Sequence, residues 1–274
     1  MPELEDITYS RDECVAAVRD YYDFLSKMYH DESDVLIPPD GGWPTITQDN
    51  LRGLGKTDEV ISLLRSLPYI RAPEHTVLKL QSAPLCQFAD WRQDSHNVSI
   101  GASNCEVLKH CSESAWLLED IPPHVVSLTS GNYDNPVLLL DTELGVAYWP
   151  GCPAKVKCDP PRELVSDDPY DYAAENEAEW RADSAAWAIP DFFEVFKDQF
   201  RKLNFVPISP RLVMDDYTPA TGDDDGMVPM MQDIYREHGW PDLQRYRKRE
   251  CLEAVRAALK ERYPDFSSDP MEED

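Results

Sequence analysis

At 274 residues, with 42% apolar residues and 7 Trp, 13 Tyr and 8 Phe, the chain is long enough for one large packed domain with appendages. A net charge of −26 weighs against direct contact with nucleic-acid phosphates and against anionic membranes, and it favours solubility and basic partners. The 23 prolines against 11 glycines point to many short elements joined by stiff connections.

In chain order, the N-terminus is acidic and polar and does not read as a signal peptide. No apolar run approaches the ~18 residues that span a bilayer. Ser10-x-x-Glu13 is a capping box, and Val15, Val18, Tyr22, Leu25 and Tyr29 then recur three and four apart. That spacing predicts an amphipathic helix over residues 11–29, with Arg19, Asp20, Asp23 and Lys27 solvated. The proline- and glycine-rich segment 38–44 breaks it. Thr47 caps a short helical turn, and Thr57 caps a helix over residues 58–67, with Asp58 and Glu59 at its positive end and Pro68 as its stop.

Gly53-Leu-Gly-Lys-Thr57 resembles the end of a phosphate loop. The full pattern needs glycine where Asn50 stands, and no apolar strand leads in, so the triplet reads as a turn and a cap. Thr76–Leu80 and Asn97–Ile100 read as strands. Pro122-Pro123 precedes a strand at His124–Thr129.

The strongest folding signal follows at 135–150. Two apolar runs, Val137–Leu140 and Val146–Trp149, flank the turn from Asp141 to Gly145, which predicts a buried hairpin with Gly145 at positive φ. Together these segments give a mostly antiparallel sheet. Residues 159–183 are strongly acidic, with Arg181 the one cation among Asp167, Asp168, Asp171, Glu175, Glu177, Glu179 and Asp183, and they read as a solvated loop or fraying helix. Phe192, Phe193, Phe196, Phe200 and Leu203 trace the face of a core helix expected to lie on the sheet. An acidic loop spans 214–227. Pro229 then opens a helix ended by Gly239, Pro241 opens another reaching about Arg262, and 264–274 form a disordered tail. Two Gly-Trp-Pro triplets, Gly42–Pro44 and Gly239–Pro241, repeat the same local grammar before helical segments.

No catalytic constellation stands out. Seven scattered cysteines fit reduced thiols in a cytoplasmic or nuclear protein. The two C-x5-C pairs, Cys105/Cys111 and Cys152/Cys158, are looser than zinc sites use. The adjacent aspartates 223–225 do not alternate as EF-hand ligands do. The six histidines are scattered. No catalytic residue, metal site or cofactor is therefore nominated. Trp43, Trp149 and Trp240 are candidate anchors for a partner, with core packing as the competing role. Residues 236–262 carry eight basic and five acidic side chains, against the charge of the whole. This basic stretch either packs near 167–183 or faces a partner.

The Pro-preceded strand, the hairpin ending in Leu-Leu-Leu-Asp with its Gly-Val return, and the late Phe-rich helix resemble the central motif of the SUKH superfamily over residues 107–205. That superfamily includes fungal regulators of cell-wall synthesis and bacterial toxin-immunity proteins. Longer segments, Gly41–Thr47, Leu54–Arg71 and Ile234–Cys251, resemble a group of uncharacterised fungal proteins. The resemblance implies a module that works by contacting other proteins, and the net charge of −26 points away from nucleic acid and membrane as partners. The expected architecture is one α+β domain over 1–263, with a helical arm at 1–70 and a helical extension at 227–263. Two alternatives stay open. One is an enzyme whose dispersed site would gather His110, His124 or Cys105 with an aspartate in a deep pocket. The other is an acidic binder of basic proteins.

Overall fold

The computed structural model describes residues 1–71, 79–113, 121–131, 135–220 and 222–267. The chain is an α+β fold, and every strand pair among the described residues is antiparallel. Among those residues no helix is long and apolar enough to cross a membrane.

Ser10 starts the first helix, α1 (Arg11–Met28), by accepting a hydrogen bond from the Glu13 amide. Thr47 caps α2 (Gln48–Leu51), and Thr57 caps α3 (Asp58–Ser66). Between them Gly55 takes the left-handed conformation at φ +69°, and Lys56 turns inward to a buried ion pair with Glu113. The lysine of the phosphate-loop-like triplet is therefore spent on the interior. Two short strands, β1 (Val35–Leu36) and β2 (Tyr69–Ile70), pair beside this unit.

The strand expected at Thr76–Leu80 falls mostly outside the described residues, and Lys79 and Leu80 belong to no strand. Asn97–Ile100 is not a strand. It closes α4 (Trp91–Ser99), whose N-cap, Asp90, accepts from the Gln93 amide at 3.0 Å. A cap seven residues upstream outweighed the β preference of Val98 and Ile100. Next comes α5 (Cys105–Glu113).

The main sheet is a meander of β3 (Val125–Ser127), β4 (Leu139–Asp141), β5 (Val146–Pro150) and β6 (Ser184–Ala188) in chain order. Gly145 holds φ +70° at the β4–β5 turn, and a Cβ there would lie 2.9 Å from the Tyr9 amide nitrogen. Alternate residues divide between two faces. Val126, Leu138, Leu140, Ala147, Trp149 and Trp187 enter the main core, while Val125, Leu139, Val146 and Tyr148 join a smaller cluster on the other side. Both faces are covered, which is why the hairpin strands read as continuous apolar runs.

The first face carries α9 (Ile189–Arg201), as the phenylalanine spacing predicts, and α1 packs beside it. Tyr21 of α1 meets Phe193 and Phe196 at ring distances of 5.4 and 5.8 Å. The N-terminal helix thus packs into the core. The second face is covered by Leu4, Ile7, Val165 and Trp180. Trp180 lies on α8 (Glu175–Ala182), preceded by α6 (Ala154–Cys158) and α7 (Pro169–Tyr172). The acidic run is therefore partly structural, since Trp180 and Arg181 are buried.

A second hairpin, β7 (Phe205–Ser209) and β8 (Leu212–Asp215), follows α9. The helix α10 (Met227–Glu237) ends before Gly239 as expected. The last helix, α11, begins at Lys248 and reaches Arg262, because turns closed by Asp242 occupy 241–247. This region seals exposed helix ends. Lys248 Nζ donates to the Ser26 and His30 carbonyls, Tyr246 to Met28, and Trp240 Nε1 to Phe200 at the end of α9. The two Gly-Trp-Pro triplets share a physical logic. Gly42 and Gly239, both at positive φ, let the carbonyls of Arg65 and Arg245 approach to where a Cβ would stand at 2.6 Å. Each following Trp donates to a backbone carbonyl.

The basic stretch does not pair with 167–183. Arg245 and Arg249 pair with Asp242 and Glu253 of their own segment, and Lys248 lies in the field of Asp31, Glu32 and Asp34. No ion pair among the described residues joins 245–249 to the acidic run.

Beneath Lys248 sits His30, its ring 4.2 Å from that of Tyr29 and tilted by 35°, with Nε2 3.0 Å from the Gln81 carbonyl. Burial, aided by the Lys248 charge, draws its pKa from 6.5 down to about 4. The unfolded chain then takes up the proton first as pH falls. The contribution of His30 is complete above pH 6.5 and is lost between there and about pH 4, by up to about 3 kcal/mol. Stability from urea titration should therefore fall more steeply between pH 7 and 5 in the wild type than in His30→Gln. Equal slopes would show that the histidine is protonated in the folded state.

Candidate functional site

Where β5 ends, a cleft of about 880 Å³ opens between the main sheet and the β7–β8 hairpin. This volume lies toward the upper end of the ~300–1,000 Å³ range of ligand sites. Its floor is backed by buried side chains of the main core, Leu138, Trp149, Phe196 and Phe205, with Trp149 stacked on Phe196 at 5.0 Å and 19°. Its corners are stiff. Pro150 closes β5, Gly151 turns at φ +66°, and Pro153 caps α6. Asn135 fixes one side, its Oδ1 accepting from the Gln87 amide at 2.6 Å. Asp215 fixes another by accepting from the Tyr217 and Thr218 amides. The rim is the tight turn Ala83–Cys86, closed by the Cys86 amide on the Ala83 carbonyl at 2.9 Å.

The electrostatics are one-sided. Glu179, Asp183 and Asp215 line the cleft, and no Lys, Arg or His does so among the described residues. Glu179 and Asp183 are exposed and stand four apart at the C-terminal end of α8. Like charges at that spacing repel, and the negative end of the helix dipole disfavours both. The cation that could neutralise them points elsewhere. Arg181, two residues from each, is buried, donates to Asp141 Oδ2 at 2.9 Å and to Glu177 Oε2 at 3.0 Å, and lies over the rings of Tyr148 and Trp180. Helical geometry thus sends Arg181, the one cation of residues 167–183, inward and leaves Glu179 and Asp183 on the cleft.

Cys86 is the thiol in the lining, and burial raises its pKa far above the usual range, so it stays protonated and unreactive. The residues proposed for a dispersed catalytic site do not gather here. His124 lies outside the cleft lining, 3.6 Å from Asp141 Oδ2 and 3.5 Å from Glu143 Oε1. Asp141 is fully engaged, since its Oδ1 takes the Glu143 and Leu144 amides and its Oδ2 takes Arg181. Cys105 Sγ donates to the Asn50 carbonyl, and His110 sits elsewhere on α5.

Of the three predicted anchors, Trp149 lines the cleft. Trp240 is 4% exposed and serves to seal α9, and Trp43 is half-buried with its indole donating to Leu67. Trp149 is itself 6% exposed, so Trp43 shows the most surface of the three. The sequence reading missed Leu85, Glu179 and Asp183. The isolated Arg181 within an acidic run was the available signal: a lone cation among acids is drawn to a buried partner and uncovers its neighbours.

A scan against protein-family models and searches of curated proteins and of solved structures give no match to this chain.

Proposed function

We propose that this chain is a non-enzymatic intracellular binding module, in line with its SUKH resemblance, and that the cleft at the end of β5 receives a basic segment of a partner protein. The observation that carries the reading is the cleft's composition: aromatic and proline walls, carboxylates, and no cation among its described lining residues. Aromatic surfaces supply contact area at low entropic cost, and a field of one sign selects the partner and speeds encounter. The overall charge of −26 extends that field beyond the cleft. The same features support the acidic-binder alternative and merge with it, because the acidic surface here has a shaped docking place.

A site-specific photo-crosslinker tests the location. Placed at Asn176, which is exposed and lines the cleft, it should form a discrete protein adduct in extract of the native cell, with the crosslinked peptide rich in Lys or Arg. Placed at Leu243, exposed outside the cleft, it should not form that adduct. Identical adducts at both positions, or none at Asn176, would contradict the proposal.

A further inference from the structure

Leu85 breaks two local rules at once. It holds φ +57°, a left-handed conformation that Gly or Asn adopts readily and a branched apolar residue resists. It is also 57% exposed at the rim of the cleft. Leu203, the other non-glycine residue at positive φ among the described residues, shows the usual compensation: at φ +59° it follows α9 and is 2% exposed, so burial offsets its strain. Leu85 has no such offset within the chain. Its turn, closed by Ser82 and Cys86 backbone hydrogen bonds, holds the side chain out at the rim of a cleft that Pro84, Pro150, Glu179, Asp183 and Asp215 also line.

We infer that Leu85 is the specificity anchor of this cleft, contacting an apolar side chain of a partner segment whose adjacent Lys or Arg is held by Glu179 and Asp183. The inference rests on the reading of the cleft as a docking site and adds which segments it selects. Charge alone would accept any basic chain. The Leu85 contact requires an apolar residue next to the cation, because desolvating a leucine against a polar side chain gains little. Acidic and nucleic-acid ligands are disfavoured by the unpaired carboxylates.

The test uses the full chain and three labelled synthetic dodecapeptides: alternating Arg and Leu, alternating Arg and Ser, and alternating Glu and Leu. Fluorescence polarisation should give the Arg/Leu peptide about tenfold higher affinity than Arg/Ser, and no binding of Glu/Leu. Leu85→Asn should bring Arg/Leu down to the Arg/Ser affinity while leaving Arg/Ser binding unchanged. Its thermal midpoint should hold or rise, since Asn tolerates the left-handed conformation. Leu85→Gly provides the same comparison with the strain fully removed. Equal affinities for Arg/Leu and Arg/Ser in the wild type, or Arg/Leu binding that survives both substitutions, would overturn the role of Leu85 and leave the docking site intact. Failure of both Arg peptides to bind, or binding indifferent to Glu179→Gln with Asp183→Asn, would overturn the docking site itself.

Discussion

Arg181→Met should cost about 3–5 kcal/mol of unfolding free energy, read as a lower urea midpoint at unchanged slope. The guanidinium is 2% exposed and its main partner, Asp141, 0%. Burial opposes the charge on Arg181, but Tyr148, Asp141 and Glu177 outweigh it and raise its pKa. Removing it leaves a carboxylate in the smaller core with the two turn amides on Oδ1 and only His124, 3.6 Å away, near Oδ2. Exposed pairs such as Arg11–Glu59 are worth about 0–1 kcal/mol, so the contrast between the two sites is itself diagnostic. Asp141→Asn combined with Arg181→Met should recover part of the loss, because an amide costs less to bury unpaired than an ion. A loss under about 1 kcal/mol for Arg181→Met would mean that Asp141 is not held by it in solution.

Phe196→Ala should be as severe, at about 3–5 kcal/mol. Its ring is 1% exposed and meets Tyr21, Trp149, Phe192 and Phe205 at centroid distances between 4.7 and 5.9 Å. It joins α1, α9, β5 and β7, and four walls cannot all collapse into the space it leaves. The cavity term should therefore be near its upper range. Phe196→Leu retains most of the volume and should cost about half as much, and near-equality of the two variants would contradict the packing account.

The parts of this fold that were legible in the sequence are those set by local chemistry. Ser10, Thr47 and Thr57 announce helix starts through side-chain oxygens three residues from the amides they satisfy. The hairpin declares itself because both sheet faces are buried and Gly145 must hold positive φ against the Thr8–Tyr9 backbone. The short helices α4, α5 and α8 were not legible. Their buried residues include Ser95, Glu113 and Arg181, polar groups with partners far along the chain in Thr45, Lys56 and Asp141, and they leave no apolar period. The cleft was less legible still. Leu85, Asn135, Trp149, Glu179, Asp183 and Asp215 meet there only through tertiary packing, and of these Trp149 alone is a candidate anchor in the sequence. Leu85 gives no sequence signal, because a leucine shows its backbone strain only in three dimensions.

Glu179→Arg with Asp183→Arg tests the proposed docking of a partner in the cleft most directly, because both side chains are exposed and folding should be untouched. Used as bait in extract of the native cell beside the wild type, the folded double variant should lose the basic partner that the wild type retains, and the wild-type complex should weaken as salt is raised. Recovery of the same partner in the same amount by both baits would contradict the account.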